Sequence, residues 1–254
     1  MSKIARVVAL GASNLARGIG TVVKTVRAAW GPDIHVLAAL GYGRSYGARS
    51  RVGFRTLPGI LESGLWRALD SFPPVSTKAL VTDVGNDILY GFSTETILAW
   101  IEEVLHRFQK ITSDITLTGL PLESIRQLSP ARYLVFRSIL FSGCRTPLAQ
   151  LLESVERLNE GLAALSTKYD ARFYTPSLAW YGVDPIHIRR RFWPLAWSQM
   201  LGADLLAMKT QKAFAVDLLR LRFLRPEQRW FFGREQFTEQ SGYSLSSGIR
   251  IWLF

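Results

Sequence analysis

The hydrophobic residues of this chain fall into short runs that alternate with longer stretches, where they recur every three or four positions. The short runs are rich in β-branched residues and predict five strands: Arg6–Gly11, Ile34–Leu40, Lys78–Val84, Ile115–Leu120 and Ala171–Tyr174. The periodic stretches predict amphipathic helices over Leu15–Trp30, Pro58–Leu69, Thr94–Ile111 and Leu151–Leu165. Strands that alternate with amphipathic helices are typical of a parallel sheet with helices on both faces. The pattern therefore predicts a three-layer α/β/α fold.

Two parts of the chain do not follow this alternation. We expect a single domain over residues 1–254, with an insertion at about 121–147 and a basic C-terminal extension at about 201–254. Within the insertion, the apolar run Tyr133–Phe141 fits either a cap over a lipid-like acyl chain or a helix packed on the core, and we favour the helix. The glycine and serine residues of Gln236–Phe254 predict a hairpin at the end of the chain.

Composition excludes several classes of protein. Of 254 residues, 48% are hydrophobic and 20% are charged, which argues against wholesale disorder. The single cysteine, Cys144, cannot form an internal disulfide or a cysteine-based zinc site. No apolar run reaches the roughly 18–20 residues of a membrane span. The run Val7–Leu10 is also too short for a secretion signal, whose apolar part has about 7–15 residues, so we expect a cytoplasmic location.

The charge balance is strongly basic, with 31 Lys and Arg against 20 Asp and Glu and a net charge of +11. Residues 189–254 are the most basic part, with 11 bases and 5 acids. Such a surplus favours anionic partners, and it fits an arginine-rich solvated surface equally well. No nucleic-acid-binding motif accompanies the charge, so no specific nucleic-acid partner is expected. Peripheral contact with a membrane stays open, as does the oligomeric state.

Glycines and polar residues follow several of the predicted strands. In open parallel sheets, ligands bind beyond the carboxyl ends of the strands. The segments found there are Gly11-Ala12-Ser13-Asn14, Gly41-Tyr42-Gly43-Arg44-Ser45, Val84-Gly85-Asn86-Asp87 and, further from its strand, Asp184-Pro185-Ile186-His187. Together they supply a hydroxyl, backbone amides next to glycine, a carboxamide and an acid–imidazole pair. Acyl transfer through a serine nucleophile needs these groups.

These four segments, in this order, resemble the sequence blocks of the SGNH (GDSL) hydrolase superfamily. Its members have a flavodoxin-like three-layer α/β/α fold and hydrolyse esters or thioesters. By this resemblance we expect Ser13 to be the nucleophile, His187 its base and Asp184 the residue that orients the imidazole ring. The amides of Ser13 and Gly43 and the carboxamide of Asn86 are expected to form the oxyanion hole. The resemblance implies a small-molecule ester as substrate, with no metal and no cofactor.

The chain departs from the family blocks at three positions. Ala12 stands where the family usually has Asp, Asn14 where it has Leu, and Val84 where it has Gly. None of these departures removes a catalytic group. They do prevent the acyl and alcohol parts of the substrate from being carried over from the family.

Two of the blocks also have a purely local interpretation. Ser13 is a suitable N-cap for the helix predicted over Leu15–Trp30. Asp184 followed by Pro185 predicts the start of a helix, with His187 as its third residue. Both interpretations are compatible with catalysis.

Three residues beside the blocks are expected to bind the substrate. Arg44 and Ser45 directly follow Gly43, and Arg189 follows His187 by two positions. The two arginines favour an anionic ester or an anionic surface.

Two other functions remain open. Residues 43–47 match Gly-x-Ser-x-Gly, in which Ser45 would be the nucleophile of an α/β-hydrolase. Only one predicted strand precedes this motif, whereas that fold takes an oxyanion donor from an earlier loop. The second alternative is that the chain is a non-catalytic SGNH-fold module that docks onto an anionic surface. The complete set of Ser13, Asp184 and His187 favours a serine-dependent hydrolase of carboxylic esters that works through an acyl-enzyme.

Overall fold

The computed structural model describes residues 4–140, 145–204, 215–246 and 248–254, which form two β-sheets. Phe141, Cys144 and part of the expected C-terminal extension, 205–214, lie outside the described residues. The strands of the larger sheet are, in spatial order, β10 (Tyr243–Ser244), β11 (Arg250–Leu253), β2 (His35–Ala39), β1 (Arg6–Leu10), β5 (Thr77–Val81), β6 (Ile115–Thr118) and β7 (Arg172–Tyr174). Those of the smaller sheet are β3 (Ser50–Val52), β4 (Arg55–Leu57), β8 (Gln228–Phe231) and β9 (Arg234–Phe237).

Helices cover both faces of the larger sheet. They are α1 (Ser13–Trp30), α2 (Leu65–Ser71), α3 (Asn86–Leu89), α4 (Thr94–Gln109), α5 (Leu122–Arg126), α6 (Pro130–Leu140), α7 (Leu148–Lys168), α8 (Trp193–Leu201) and α9 (Ala215–Phe223). Side chains of α1, α8 and α9 pack on one face, and those of α2, α4 and α7 on the other. Within the described ranges, no helix has both the length and the apolar character needed to cross a membrane.

The strand order is that of flavodoxin. Strands β2, β1, β5, β6 and β7 are parallel neighbours, and within the larger sheet they follow the order 2-1-3-4-5. All five residues of β1 are buried, because β1 is paired on both edges and alternate side chains enter opposite cores. The predicted flavodoxin-like three-layer α/β/α fold, with a central and mostly parallel sheet, is confirmed.

The end of the chain completes the larger sheet. The predicted hairpin over Gln236–Phe254 is correct only in its second part, where β10 and β11 pair in antiparallel fashion. Gln236 and Phe237 instead belong to β9, which pairs with β8. Strand β11 also lies parallel to β2, with Ile251 opposite Val36. Its apolar run is buried there, which explains why the chain ends in a strand of the larger sheet.

The helix predicted over Pro58–Leu69 is interrupted. A short 3-10 turn covers Ile60–Glu62, and α2 begins only at Leu65. The break falls where Gly64 packs tightly against the side chain of Glu227, so that a Cβ at this position would overlap the carboxylate. Residues from the end of the chain therefore determine where this helix begins.

Candidate active site

Ser13 lies at the carboxyl end of the central strand, where α1 begins. Strands β1 and β5 end side by side, with Leu10 opposite Val81, and this is the point where the strand order reverses direction. Gly11 makes the turn, because a Cβ there would come within 2.8 Å of the methyl group of Thr82. The close approach of β1 and β5 thus explains why a glycine precedes Ala12 and Ser13.

The structure brings Ser13, His187 and Asp184 together in a hydrogen-bonded chain. The Nε2 atom of His187 lies 2.9 Å from the Oγ atom of Ser13, and its Nδ1 atom lies 2.6 Å from the Oδ2 atom of Asp184. Burial alone would raise the pKa of Asp184, but hydrogen bonds from His187 and two backbone amides outweigh it and lower that pKa. The carboxylate is therefore ionised at neutral pH and suited to hold a proton on Nδ1.

The predicted helix start at Asp184 is wrong. Residues 182–188 are irregular, and the next helical residues form a short 3-10 turn over Arg190–Phe192 ahead of α8. The Oδ1 atom of Asp184 accepts hydrogen bonds from the amides of Ile186 at 3.2 Å and His187 at 3.1 Å, as a helix cap would. The helix does not follow because the carbonyl of Ile186 and the amide of Ile188 bond to another element instead.

That other element is the first turn of α1, and the side chain of Asn14 makes both hydrogen bonds. Its Nδ2 atom donates to the carbonyl oxygen of Ile186 at 2.9 Å, and its Oδ1 atom accepts from the amide of Ile188 at 2.8 Å. Asn14 thus holds the two residues on either side of His187. The sequence identified Asn14 only as a departure from the family, and its partners lie more than 170 residues further along the chain.

Asp83 is a second residue that the sequence did not indicate. Its Oδ2 atom accepts hydrogen bonds from the amides of Ala12 at 2.9 Å and Leu15 at 3.1 Å, and its Oδ1 atom accepts from Asn14 at 2.9 Å. Asp83 has a φ of 59°, a left-handed conformation that aspartate tolerates better than most residues. The available signal for this position was a charged residue near the carboxyl end of the apolar run that was predicted as the strand Lys78–Val84.

Asn86 lies at the start of α3 and faces the same cavity as Ser13. Its side chain is 9% exposed, and its Nδ2 atom is buried without a hydrogen-bond partner among the described residues. Buried amide groups in proteins almost always have a partner. The Asn86 carboxamide is therefore a donor that is free to bind a group entering the cavity.

Gly43 has a φ of 60°, which glycine adopts without strain. A Cβ at this position would lie 2.7 Å from the Oη atom of Tyr90 and 2.8 Å from a methyl group of Val52. The Tyr90 hydroxyl donates to the carbonyl oxygen of Gly43 at 2.5 Å, and burial raises the pKa of Tyr90 to about 12, which keeps this donor protonated. Gly43 does not belong to the described residues that line the cavity with Ser13.

The side chain of Arg44 is completely buried, which argues against the expectation that it binds the substrate. Its guanidinium group donates hydrogen bonds to the carbonyl oxygens of Pro58 at 3.1 Å and Leu40 at 3.2 Å, and to that of Phe254. Burial lowers the pKa of Arg44 to about 9. Arg44 thus joins the loop after β2 to the end of the chain.

Ser45 is also completely buried, which argues against the expectations that it binds substrate or serves as a nucleophile. Its Oγ atom accepts a hydrogen bond from the amide of Ala48 at 3.0 Å, and its hydroxyl bonds to Asp87. The Oδ2 atom of Asp87 also accepts the amide of Tyr46 at 3.0 Å. Ser45 and Asp87 therefore fix the loop after β2 against α3.

Arg189 is exposed and bound to its own surroundings. One guanidinium nitrogen donates to the carbonyl oxygen of Ala179 at 2.6 Å, and the group lies over the ring of Phe192. Arg189 is not among the described residues that line the cavity. The structure thus brings Ser13, Asp184, His187 and Asn86 to one place, and leaves Arg189 outside it.

The cavity beside Ser13 has a volume of about 110 Å³ and mostly apolar walls. Helices α5, α6 and α7 contribute Ile125, Tyr133, Phe136, Leu151 and Val155 to these walls, and the loop between α5 and α6 contributes Leu128. Tyr133 is 4% exposed and belongs to the core, so the described part of the run Tyr133–Phe141 both packs on the core and lines the cavity. In the part of the chain that is described, no three His, Cys, Asp or Glu side chains are grouped to hold a metal ion.

No protein-family model and no curated protein matches this sequence. Solved structures do match it. The native aryl esterase of M. smegmatis aligns over 81% of this chain and 98% of its own, with 17% sequence identity and a TM-score of 0.50. The SGNH-hydrolase family esterase AlinE4 aligns over 84% of this chain and all of its own, at 18% identity and a TM-score of 0.43. The esterase EstA from Pseudoalteromonas sp. aligns over 78% and 96%, at 15% identity and a TM-score of 0.47.

Likeness at this level of identity concerns the fold. The aryl esterase aligns over nearly its whole length, so the sheet and its covering helices are shared along most of both chains. The chain therefore shares a three-layer α/β/α fold with the aryl esterase.

Proposed function

We propose that this chain hydrolyses carboxylic esters, with Ser13 as the nucleophile of an acyl-enzyme mechanism. One observation carries the proposal. The Oγ atom of Ser13 lies 2.9 Å from Nε2 of His187, whose Nδ1 lies 2.6 Å from Asp184, and this chain of contacts borders a cavity. A nucleophile, a base and an orienting acid within hydrogen-bond reach are the geometry of activated serine.

Proton transfer in this mechanism runs through His187. Nε2 accepts the Ser13 hydroxyl proton as Oγ bonds to the ester carbonyl carbon, and Asp184 stabilises the resulting imidazolium. His187 then gives this proton to the departing alkoxide as the carbon–oxygen bond of the ester breaks. In the second half, His187 accepts a proton from water as the water attacks the acyl carbon, and returns it to the Ser13 oxygen. The products are an alcohol and a carboxylic acid.

The negative charge on the carbonyl oxygen needs donors that are already in place. Asn86 supplies a buried Nδ2 that has no partner among the described residues. The Ser13 amide lies in the first turn of α1, where backbone N–H groups have no carbonyl partner within the helix and the helix dipole favours negative charge. The Gly43 amide is the third donor that the family resemblance implies.

The walls of the cavity favour an ester with an apolar acyl chain. Leu128, Phe136, Leu151 and Val155 would surround a chain attached to the Ser13 oxygen, because the acyl group stays bound there after the alcohol has left. Of the two arginines expected to bind an anionic substrate, Arg44 is buried and Arg189 lies outside the cavity lining, whereas Arg137 contributes a positive charge to that lining.

Labelling with a fluorophosphonate tests the nucleophile, because the phosphonyl group reacts with an activated serine. We expect one adduct on Ser13, located by peptide mapping, and its loss in Ser13→Ala and His187→Ala. The same variants should lose hydrolysis of p-nitrophenyl esters, apart from the residual rate that binding and the oxyanion donors provide. The variant Ser154→Ala, which changes a half-buried serine on α7 whose hydroxyl donates to the carbonyl oxygen of Gln150, is the matched control and should retain both.

Two outcomes would contradict the proposal. An adduct on Ser45 would transfer the chemistry to the Gly-x-Ser-x-Gly segment and require that buried loop to open. A folded protein that forms no adduct and hydrolyses no ester in a panel of increasing acyl length would favour a non-catalytic binding module.

A further inference from the structure

The smaller sheet ends in two hairpin turns that lie side by side. Gly53 and Phe54 connect β3 to β4, and Phe232 and Gly233 connect β8 to β9. The two turns are joined by a hydrogen bond from the amide of Phe232 to the carbonyl oxygen of Phe54 at 3.0 Å. The phenyl rings of these residues stack, with centroids 4.5 Å apart and planes 22° apart.

These turns expose a cluster of large apolar side chains, here named the aromatic tip and consisting of Val52, Phe54, Phe231 and Phe232. Phe54 is 63% exposed and Phe232 is 65% exposed, although each ring already covers part of the other. Phe231 and Val52 add to the same surface at 41% and 43% exposure. A contiguous apolar surface of this kind on a folded protein marks an interaction site.

Phe232 occupies a turn position that disfavours a bulky side chain. Phe232 has a φ of 51° and Gly233 a φ of 75°, so both residues of this two-residue turn are left-handed. Hairpin turns of this type favour asparagine, aspartate or glycine, and a bulky residue there is strained. A strained residue whose ring is also mostly exposed indicates a role outside the fold.

Arginines surround the aromatic tip. Residues 49–57 and 228–237 contain five arginines, Arg49, Arg51, Arg55, Arg229 and Arg234, and one acid, Glu235. Among the described residues, none of the five forms an ion pair. Burial lowers the pKa of Arg55, and the positive charge of Arg229 lowers it further. Arg55 and Arg229 thus repel each other, and an anionic partner would relieve that repulsion.

We propose that the aromatic tip binds to the surface of an anionic phospholipid bilayer. Aromatic side chains favour the boundary between headgroups and acyl chains, and arginines beside them bind phosphate groups. Clustered basic residues are attracted to the negative surface of such a membrane, whereas a neutral membrane offers only the apolar contact. The aromatic tip lies outside the cavity of Ser13, so this proposal does not depend on ester hydrolysis.

Sedimentation of the full chain with vesicles tests the proposal. We expect binding to vesicles of phosphatidylcholine mixed with phosphatidylglycerol, weakened by salt, and little binding to phosphatidylcholine alone. The affinity of the double variant Phe54→Ser/Phe232→Asn for the anionic vesicles should be lower by at least about tenfold. Asparagine favours the left-handed turn, so this variant is expected to fold, and circular dichroism checks that it does.

The matched control is Phe237→Ser, which removes an equally exposed phenylalanine, at 63%, from the far end of the same hairpin. It should bind vesicles as the unchanged protein does. The double variant Arg51→Gln/Arg234→Gln should weaken binding to the anionic vesicles and make that binding less dependent on salt. Ester hydrolysis of a soluble substrate should be the same in all of these variants, so failure here is distinguishable from failure of the proposed activity.

Three results would overturn the proposal. The first is that the unchanged protein does not bind anionic vesicles, and the second is that the double variant binds them as strongly as the unchanged protein. The third is that the unchanged protein forms a concentration-dependent dimer in analytical ultracentrifugation and does not bind vesicles, and that the double variant Phe54→Ser/Phe232→Asn no longer forms this dimer. That result would identify a second copy of this chain as the partner of the aromatic tip.

Discussion

The side-chain oxygen of Asn14 accepts a hydrogen bond from the backbone amide of Ile188 at 2.8 Å, directly beside the imidazole of His187. Its amide nitrogen bonds to the carbonyl oxygen of Ile186 on the other side of that residue. Asp83 holds the same amide nitrogen, as well as the backbone of the nucleophile segment. The distance between Ser13 and His187 is thus controlled by a network that joins β5, α1 and the loop before α8.

Asn14→Ala is expected to lower turnover by about 10–100-fold, because a shift of about 1 Å in a catalytic group has an effect of this size. KM should change much less, since Asn14 positions His187 and is one of many residues around the cavity. Steady-state kinetics on a p-nitrophenyl ester separates the two parameters. Gln109→Ala, which removes an exposed amide on α4, is the control. Equal losses in both variants, or an unchanged turnover in folded Asn14→Ala, would show that the network does not position His187.

Asn86→Ala should lower turnover by roughly 10²–10³, as the loss of one oxyanion donor does in other enzymes. The reason is that the charge on the carbonyl oxygen develops in the transition state, so the donor contributes little to ground-state binding. Thermal unfolding should be nearly unchanged, because the Nδ2 atom has no partner to lose among the described residues. Unchanged turnover would remove Asn86 from the oxyanion hole. Loss of activity together with a large fall in Tm would mean that it supports the fold instead.

Asp87 gives a prediction about pH. Burial raises the pKa of Asp87 to about 6, although hydrogen bonds from Ser45 and the amide of Tyr46 oppose the shift. The folded protein therefore binds more protons than the unfolded chain between about pH 4 and pH 6, and this carboxyl group destabilises the fold as the pH rises through that range. Asp87→Asn should remove this dependence while keeping an oxygen for the amide of Tyr46.

Chemical denaturation at several pH values checks this. The difference in the free energy of unfolding, Asp87→Asn minus the unchanged protein, should increase by up to about 3 kcal/mol between pH 4 and pH 7. A difference that is the same at every pH would mean that Asp87 titrates in the folded protein as it does in the unfolded chain.

The sequence predicted those parts of the site that depend on neighbouring residues. Ser13 follows a buried strand directly, and Asp184 reaches His187 across only three positions. Parallel strands bring their carboxyl ends to one edge, so the resemblance was enough to predict that these groups meet with Asn86. The strand order was implied by the family resemblance, whereas the alternation of strands and helices predicted only a parallel sheet covered on both faces.

The sequence did not predict features that depend on distant partners. Arg44 next to a glycine block suggested a substrate contact, but the chain end, 210 residues away, covers its guanidinium group. Asp83 binds amides about 70 residues before it. The end of the chain was predicted only as a hairpin, and the parallel pairing of β11 with β2, more than 200 residues before it, was not foreseen. No periodicity along the chain encodes such pairings.

Val155 provides a test of which part of the ester enters the cavity. It lies on α7, is 4% exposed and lines the cavity together with Leu151 and Phe136. Val155→Phe adds a ring to this wall, so long acyl chains should lose their space while an acetyl group, which stays near Ser13, should not. We expect rates on p-nitrophenyl esters with long acyl chains to fall at least about tenfold, and the rate on the acetate to change less than about threefold.

The competing effect is overpacking of the core, which lowers the stability of the fold by about 1–3 kcal/mol. This effect acts on all substrates alike. The smaller variant Val155→Ala separates the two, because it enlarges the cavity and should raise the preference for long chains relative to the acetate. If both variants change the rates on all esters by one common factor, the cavity does not hold the acyl chain. If the preference moves in opposite directions in the two variants, the acyl chain binds against α7, and the length of chain that each variant prefers measures how far it reaches.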